Sequence, residues 1–193
     1  MLLPRITQGK IVNRCLFGDL LNGRGLLDTA VEVGTHRGQF AKQLLDRWKG
    51  KMLWCNDPYQ SGYDPTDQAA IGDRDLDARA AAARLEPHKD RIGWIATPSP
   101  DSASLFKDNT LDFVYIDGNH QKFAVSADLS AWWPKVKPGG LLAGHDVICP
   151  NEPNGGWEAE IQPVLLSFAV GHKLPVHLVV EQDGPWSYYL EKP

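Results

Sequence analysis

The chain has 193 residues, of which 42% are hydrophobic and 23% charged, and a formal net charge of -4. These proportions suit one soluble globular domain with a sizeable core. They give no basic footprint for nucleic acid, and no apolar run is long enough to cross a bilayer.

In chain order, the first 28 residues are expected to form an N-terminal helical cover. Their opening stretch lacks the apolar block of a signal peptide. Thr29–Val33 is the first predicted strand. Gln39–Trp48 follows as a helix with Phe40, Leu44, Leu45 and Trp48 on one face. Lys51–Asn56 is a second strand, and the polar stretch Tyr59–Asp73 a loop. Asp73–Leu85 is an alanine-rich helix stopped by Pro87. Arg91–Ala96 is a third strand, Ser102–Phe106 a short helix, and Leu111–Ile116, an unbroken apolar run, the central strand. Phe123–Trp133 is helical, and Pro138-Gly139-Gly140 turns the chain into a fifth strand, Leu141–Ala143. Trp157–Val170 is a helix, and Val176–Glu181 and Trp186–Glu191 flank a tight turn at Asp183-Gly184. Alternating strands and helices predict parallel βαβ units. Cys15, Cys55 and Cys149 are odd in number and widely spaced, which predicts reduced thiols in a cytoplasmic protein rather than a disulfide frame or a zinc site.

Chemistry concentrates at strand ends. Val31-Glu32-Val33-Gly34-Thr35-His36-Arg37-Gly38 reads as strand, glycine turn and helix start, an arrangement that offers backbone N–H groups to a polar ligand. Gly34 and Gly38 permit backbone angles closed to other residues. The spacing is not the Gly-x-Gly-x-x-Gly of dinucleotide binders, which disfavours a nicotinamide-dependent oxidoreductase. Glu32, Asp57 and Asp117 each end an apolar strand and are expected at one sheet edge.

The glycine motif resembles the first motif of class I S-adenosylmethionine-dependent methyltransferases. Ile116-Asp117-Gly118-Asn119-His120, the Trp132-Trp133 helix and Gly144-His145-Asp146 resemble a family of small bacterial members. The resemblance runs from about Asp28 to the C-terminus. It implies a Rossmann-like three-layer α/β sandwich with a mostly parallel seven-stranded sheet and a C-terminal antiparallel hairpin. It places the amino-acid end of the cofactor on Glu32, Gly34 and Gly38, the ribose on Asp57, the adenine near Pro98-Ser99, and Asp117 against the cofactor as well.

The spacing also resembles metal-dependent O-methyltransferases of the catechol and macrolide-sugar types. That likeness makes Asp117, His145 and Asp146 ligands of a divalent cation, and His120, three positions after Asp117, the base. Mg²⁺ or Mn²⁺ is the expected ion. A histidine ligand suits Mn²⁺, Fe²⁺ or Zn²⁺ better than Mg²⁺. Without a metal, His145 or His120 would be the base, oriented by Asp117 or Asp146. A cation held by carboxylates lowers the pKa of an acceptor hydroxyl, and a nearby imidazole takes its proton.

The expected acceptor is a small hydroxylated molecule, such as a sugar, a phenol or a natural-product intermediate; N-methylation stays open if no metal is bound. A non-catalytic cofactor-binding module is the remaining alternative. Tyr59, Tyr63 and Trp157 are candidate pocket residues, and acceptor contacts are expected from the N-terminal segment, the Tyr59–Asp73 and Pro150–Gly156 loops, or a second subunit of a homo-oligomer. Trp48, Trp132 and Trp133 are expected in the core, and Trp54 and Trp94 between sheet and helix. The charges of Asp73–Arg84 read as a solvated helix face, His36 and Arg37 as exposed, and His88, His172 and His177 as surface residues.

Overall fold

In the computed structural model, the structure describes residues 4–62, 71–150, 156, 158–182 and 184–193. The strands are β1 (Ile6–Gln8), β2 (Thr29–Val33), β3 (Met52–Asn56), β4 (Ile92–Ile95), β5 (Leu111–Ile116), β6 (Val136–Ile148), β7 (Val176–Val179) and β8 (Trp186–Glu191). The helices are α1 (Phe17–Gly23), α2 (Gln39–Leu45), α3 (Arg74–Leu85), α4 (Lys122–Trp132) and α5 (Glu158–His172). The strands form one sheet in the order β1-β7-β8-β6-β5-β2-β3-β4. Its pairings are parallel except that β8 runs antiparallel to both β6 and β7.

The three-layer α/β architecture and the terminal hairpin are as expected, but the sheet has eight strands, not seven. The extra strand lies in the segment expected to be helical. Ile6–Gln8 pairs in parallel with Val176–Leu178 at the sheet edge. Three residues are too few to show a period, and backbone pairing rather than burial places them, since Ile6 is exposed. The helical part of the cover is α1, which buries Phe17, Leu20 and Leu21.

β5 is buried along its whole length and divides the core by its period of two. Phe113 and Tyr115 enter one apolar cluster with Phe17, Phe40, Leu44 and Trp48 of the α1–α2 side. Val114 and Ile116 enter the other, with Leu129, Trp132 and Leu165 of α4 and α5. Phe40 stacks on Tyr115 with ring centroids 3.7 Å apart. Trp48, Trp132 and Trp133 are core residues, and Trp48 Nε1 donates to the Leu26 carbonyl at 2.7 Å. Trp54 is only half-buried and Trp94 exposed, and β4, which carries Trp94, is an edge strand of the sheet.

β6 departs most from expectation. Pro138-Gly139-Gly140 lies within the strand instead of preceding it. Gly139 takes φ +77°, and the β5–β6 register slips between Leu111 and Phe113, so the glycines make a bulge rather than a chain reversal. The strand therefore runs on through His145 and Asp146. No helix among the described residues is long and apolar enough to cross a membrane, and Cys15, Cys55 and Cys149 are all free thiols.

Candidate active site

Because β2, β3, β5 and β6 are parallel, their carboxyl ends open on one edge of the sheet. A cavity of about 600 Å³ lies there, lined by residues at the carboxyl ends of all four strands and by residues of α4.

The glycine loop forms one wall. Gly34 has φ +86°, and a Cβ at this position would stand 2.0 Å from the Asp117 carbonyl oxygen, so backbone meets backbone at the ends of β2 and β5. The Asp117 N–H donates to the Val33 carbonyl at 2.8 Å. Gly38, at φ +73°, caps the start of α2. Glu32 lines the cavity and is 2% exposed. Burial pushes its carboxyl well above the usual range, and its Oε2 has no hydrogen-bond partner among the described residues. An orphaned buried oxygen of this kind is normally matched by a donor.

Asp57 also lines the cavity but is already engaged. Arg74 Nη2 donates to its Oδ1 at 2.6 Å, the Tyr59 N–H to Oδ1 at 3.0 Å, and the His36 N–H to Oδ2 at 2.8 Å. A carboxylate offers about four acceptor positions, so one remains for a ligand rather than the two that a vicinal diol would fill. Arg74 extends the network to Asp77 Oδ2 at 2.9 Å, and Arg37 Nε donates to Asp77 Oδ1 at 2.6 Å. This overturns the reading of Asp73–Arg84 as a wholly solvated face: Arg74 and Asp77 are buried. An arginine and an acid three residues apart look like a surface pair in sequence. Here they close over Asp57. His36 and Arg37 are half-exposed, as expected, yet both face Asp77. The other three histidines have partners too: His88 meets Asp46, His177 stacks on Tyr189, and His172 packs on Phe168.

Ser99 lies on the cavity wall, but its hydroxyl faces protein. It donates to Asp128 and accepts from Trp132 Nε1 at 2.9 Å. Asp128, a cavity residue with no site role expected from sequence, is 3% exposed, and burial raises its carboxyl to about 7 against the Ser99 hydrogen bond. Its one sequence signal was that it is the lone acid of α4, four positions before Trp132.

The catalytic-edge residues converge. Asp117 follows β5, and His145 and Asp146 lie in β6. Consecutive strand residues normally face opposite sides. Here Asp146 takes the left-handed φ of +56°, and the β6–β8 register slips between Gly144 and Ile148, so both side chains reach the acids' side. Such backbone strain recurs at functional sites. His120 Nε2 lies 3.1 Å from Asp146 Oδ2 and 3.5 Å from Asp117 Oδ1. His145 Nδ1 lies 3.1 Å from Asp146 Oδ1 and 3.9 Å from Asp117 Oδ1.

Burial disfavours charge on His120, but Asp117 and Asp146 outweigh it and raise the imidazole to about 9. Asp146 falls well below the usual carboxylate range, because the two histidines outweigh its burial. Among the described residues, the acids and histidines whose ligand atoms lie within 4.8 Å of one another are Asp117, His120 and Asp146. His145, rather than His120, had been expected in that set. Arg14, from the N-terminal segment, completes the edge with Nη1 3.7 Å from Asp117 Oδ2. Phe123 lines the mouth and is exposed. Tyr59 is half-buried under Arg74, with Tyr63 and Trp157 outside the described residues.

Residues 31–147 match the sequence profile of a family described as Methyltransferase domain. No curated protein matches the chain in sequence. Among solved structures, the fold is similar to an O-methyltransferase from Bacillus cereus in complex with SAH, with TM-score 0.65 and 18% identity over 93% of this chain and 80% of that one. It is similar to the O-methyltransferase TomG from Streptomyces achromogenes, involved in tomaymycin synthesis and in complex with SAM, with TM-score 0.64 and 15% identity over 93% and 79%. It is also similar to the N-methyltransferase NodS from Bradyrhizobium japonicum, with TM-score 0.58 and 16% identity over 92% and 94%. At these identities the likeness shows a shared fold.

Proposed function

The chain belongs to the S-adenosylmethionine-dependent methyltransferases of the methyltransferase-domain family, and from that premise we propose that it methylates a hydroxyl of a small molecule with the help of a divalent cation. One observation carries the reading. A single cavity runs from the orphaned Glu32 carboxyl and the Gly34–Gly38 loop to the cluster of Asp117, His120, His145 and Asp146. Two neighbours of the same fold, from Bacillus cereus and Streptomyces achromogenes, are O-methyltransferases seen with SAH or SAM.

The residues fit the cofactor. Glu32 Oε2 is a partner for its α-ammonium, which would satisfy the buried carboxyl. Asp57 keeps one acceptor position for a ribose hydroxyl. The residues fit a cation as well. Asp117 and Asp146 are the anionic donors, and both histidines stand at distances from them common between neighbouring ligands of one ion.

We assign His145 as the nitrogen ligand, since it lies within strand β6 and is the more buried of the two. His120, which lines the cavity between β5 and α4, is then the base. Bound there, the ion would lower the acceptor hydroxyl's pKa. His120 holds its proton because two carboxylates face it. Neutralising those carboxylates would remove what raises the imidazole and leave the burial that lowers it, so that it could accept a proton from the acceptor. The sulfonium methyl is already electrophilic, so alignment of acceptor oxygen, methyl carbon and sulfur is the protein's remaining task.

Isothermal titration with S-adenosylmethionine and S-adenosylhomocysteine tests the cofactor, with micromolar binding of both expected. A panel of phenols and sugars assayed with Mn²⁺ or with EDTA tests the chemistry, with methyl transfer expected only with the metal. No heat with either cofactor would overturn the reading, and undiminished transfer in EDTA would remove the cation from it.

A further inference from the structure

Among the described residues, two arginines line the cavity, and they are held differently. Arg74 is buried between Asp57 and Asp77, with Nη2 2.6 Å from one carboxylate and Nη1 2.9 Å from the other. Arg14 keeps 29% of its side chain exposed, and its ion pair with Asp117 Oδ2 is 3.7 Å long, beyond hydrogen-bonding distance. The proposed chemistry gives Arg14 no task.

Its place is set from behind. Arg14 opens the short 3-10 turn Arg14–Leu16 that leads into α1. Phe17, three positions on, is fully buried with its ring 5.7 Å from that of Tyr115. The guanidinium lies within reach of the Tyr115 hydroxyl. That hydroxyl is 3.2 Å from Ser187 Oγ, which donates to Glu181 Oε1 at 3.2 Å. An ionised carboxylate only accepts, so Ser187 spends its one proton on Glu181 and accepts from Tyr115. The lone pairs of the Tyr115 oxygen are then left for Arg14. Tyr115 and Asp117 Oδ2 are two oxygens set against the five N–H donors of a guanidinium, and the remaining donors serve a ligand in the cavity. The reacting groups are close by. Asp117 meets Arg14 through Oδ2 and His120 through Oδ1, at 3.5 Å, so one carboxylate separates the guanidinium from the base. Phe123, three positions after His120, lines the same cavity and is 60% exposed, an apolar ring surface at the mouth.

We propose that the acceptor is an aromatic hydroxy acid, with its hydroxyl at His120, its carboxylate on the Arg14 guanidinium and its ring against Phe123. The inference rests on the reading of the cavity as a methyltransferase site and names the acceptor class within it. A planar carboxylate matches the guanidinium with two parallel N–H···O bonds. A neutral amide in its place offers one acceptor oxygen and sets its own N–H groups against the donors of Arg14.

The test is isothermal titration of the S-adenosylhomocysteine complex, in buffer with Mn²⁺, with 2-, 3- and 4-hydroxybenzoate and the three matching hydroxybenzamides. At least one acid should bind at least about tenfold more tightly than its amide, the worth of a hydrogen bond to a charged group. Arg14→Gln should bring that pair within about threefold, and Arg14→Lys, which keeps the charge without the paired donors, should fall between. A residue that only supported Asp117 would shift acid and amide alike and leave their ratio unchanged. No acid bound, an acid bound no better than its amide, or a preference that survives in Arg14→Gln overturns the proposal; the last result gives the carboxylate to the cation instead. If Arg14→Gln does not fold, a crystal structure of the wild type with the preferred acid decides. A carboxylate within about 3.2 Å of two Arg14 nitrogens supports the proposal, and any other placement overturns it. A protein that binds S-adenosylhomocysteine but no acid loses the acceptor class alone, whereas one that binds no S-adenosylhomocysteine loses the cofactor reading and this one with it.

Discussion

His120 Nε2 lies 3.1 Å from Asp146 Oδ2, and the same carboxylate meets His145 Nδ1 at 3.1 Å through its other oxygen. One acid thus joins two imidazoles, and ligand and base can be told apart by deletion. Mn²⁺ titration followed by electron paramagnetic resonance should give one site in the wild type. Asp146→Ala and His145→Ala should weaken it by at least about tenfold, whereas His120→Ala should leave it within about threefold. With a reactive acceptor from the panel, His120→Ala should then lower turnover by about 10²-fold or more at unchanged cofactor affinity. Loss of the ion in His120→Ala would make His120 a ligand and pass the base role to His145.

Arg74 bridges Asp57 and Asp77 with all three side chains buried. Removing the guanidinium strands two carboxylates away from water. Arg74→Met should lower the unfolding free energy by about 3–5 kcal/mol in urea denaturation and weaken S-adenosylhomocysteine binding, since Asp57 loses its orientation. Lys42→Ala, which breaks the exposed pair with Asp46, should cost less than about 1 kcal/mol. Equal effects of the two substitutions would show that the Asp57 network is not a structural support of the site.

Much of this arrangement was legible in the sequence, and the reasons differ by element. β2, β5 and β8 were bounded correctly because apolar runs with clear ends mark buried strands. Strand-end acids are placed by topology alone, so Glu32, Asp57 and Asp117 were all found at the cavity. Arg74 and Asp77 were not, because a charge on a helix carries no local sign of what folds against it. Asp128 was missed for the same reason: its partner Ser99 is 29 positions away. β6 was truncated because Gly139-Gly140 serves as a bulge in one context and a turn in another, and only pairing with β5 decides between them.

Asp128 makes the apoprotein sensitive to pH. Burial raises its carboxyl to about 7 in the folded chain, against about 3.9 unfolded. Below about pH 4 both states hold the proton and the group contributes nothing differential. As pH rises toward 7 the unfolded chain ionises first, so folding stability falls, by at most about 4 kcal/mol. Tyr188, packed nearby and pushed up by its own burial, stays neutral through this range. In urea denaturation without cofactor, Asp128→Asn should therefore gain stability relative to wild type between pH 5 and pH 8. A difference between the two proteins that does not change with pH would show that the carboxyl titrates normally.

Gly34 and Gly25 both take left-handed backbone angles, φ +86° and φ +70°, but in different surroundings. A Cβ on Gly25 would meet nothing within 4 Å. Gly25→Ala should therefore cost only the conformational penalty, about 1–2 kcal/mol. A Cβ on Gly34 would stand 2.0 Å from the Asp117 carbonyl oxygen and 2.8 Å from Gly118 Cα, both backbone atoms of the neighbouring chain segment. No rotamer can relieve that contact. The ends of β2 and β5 must separate, against the hydrogen bond from the Asp117 N–H to the Val33 carbonyl. Gly34→Ala should lose more than about 4 kcal/mol, in the range reserved for specific steric failures, and should bind S-adenosylhomocysteine at least about 100-fold more weakly. The separation also carries Asp117 away from His120 and Asp146, so Mn²⁺ binding should fall with it. Paired thermal and urea denaturation of the two alanine variants checks this, and a Gly34→Ala protein as stable as Gly25→Ala would mean that the β2 and β5 ends do not hold the site together.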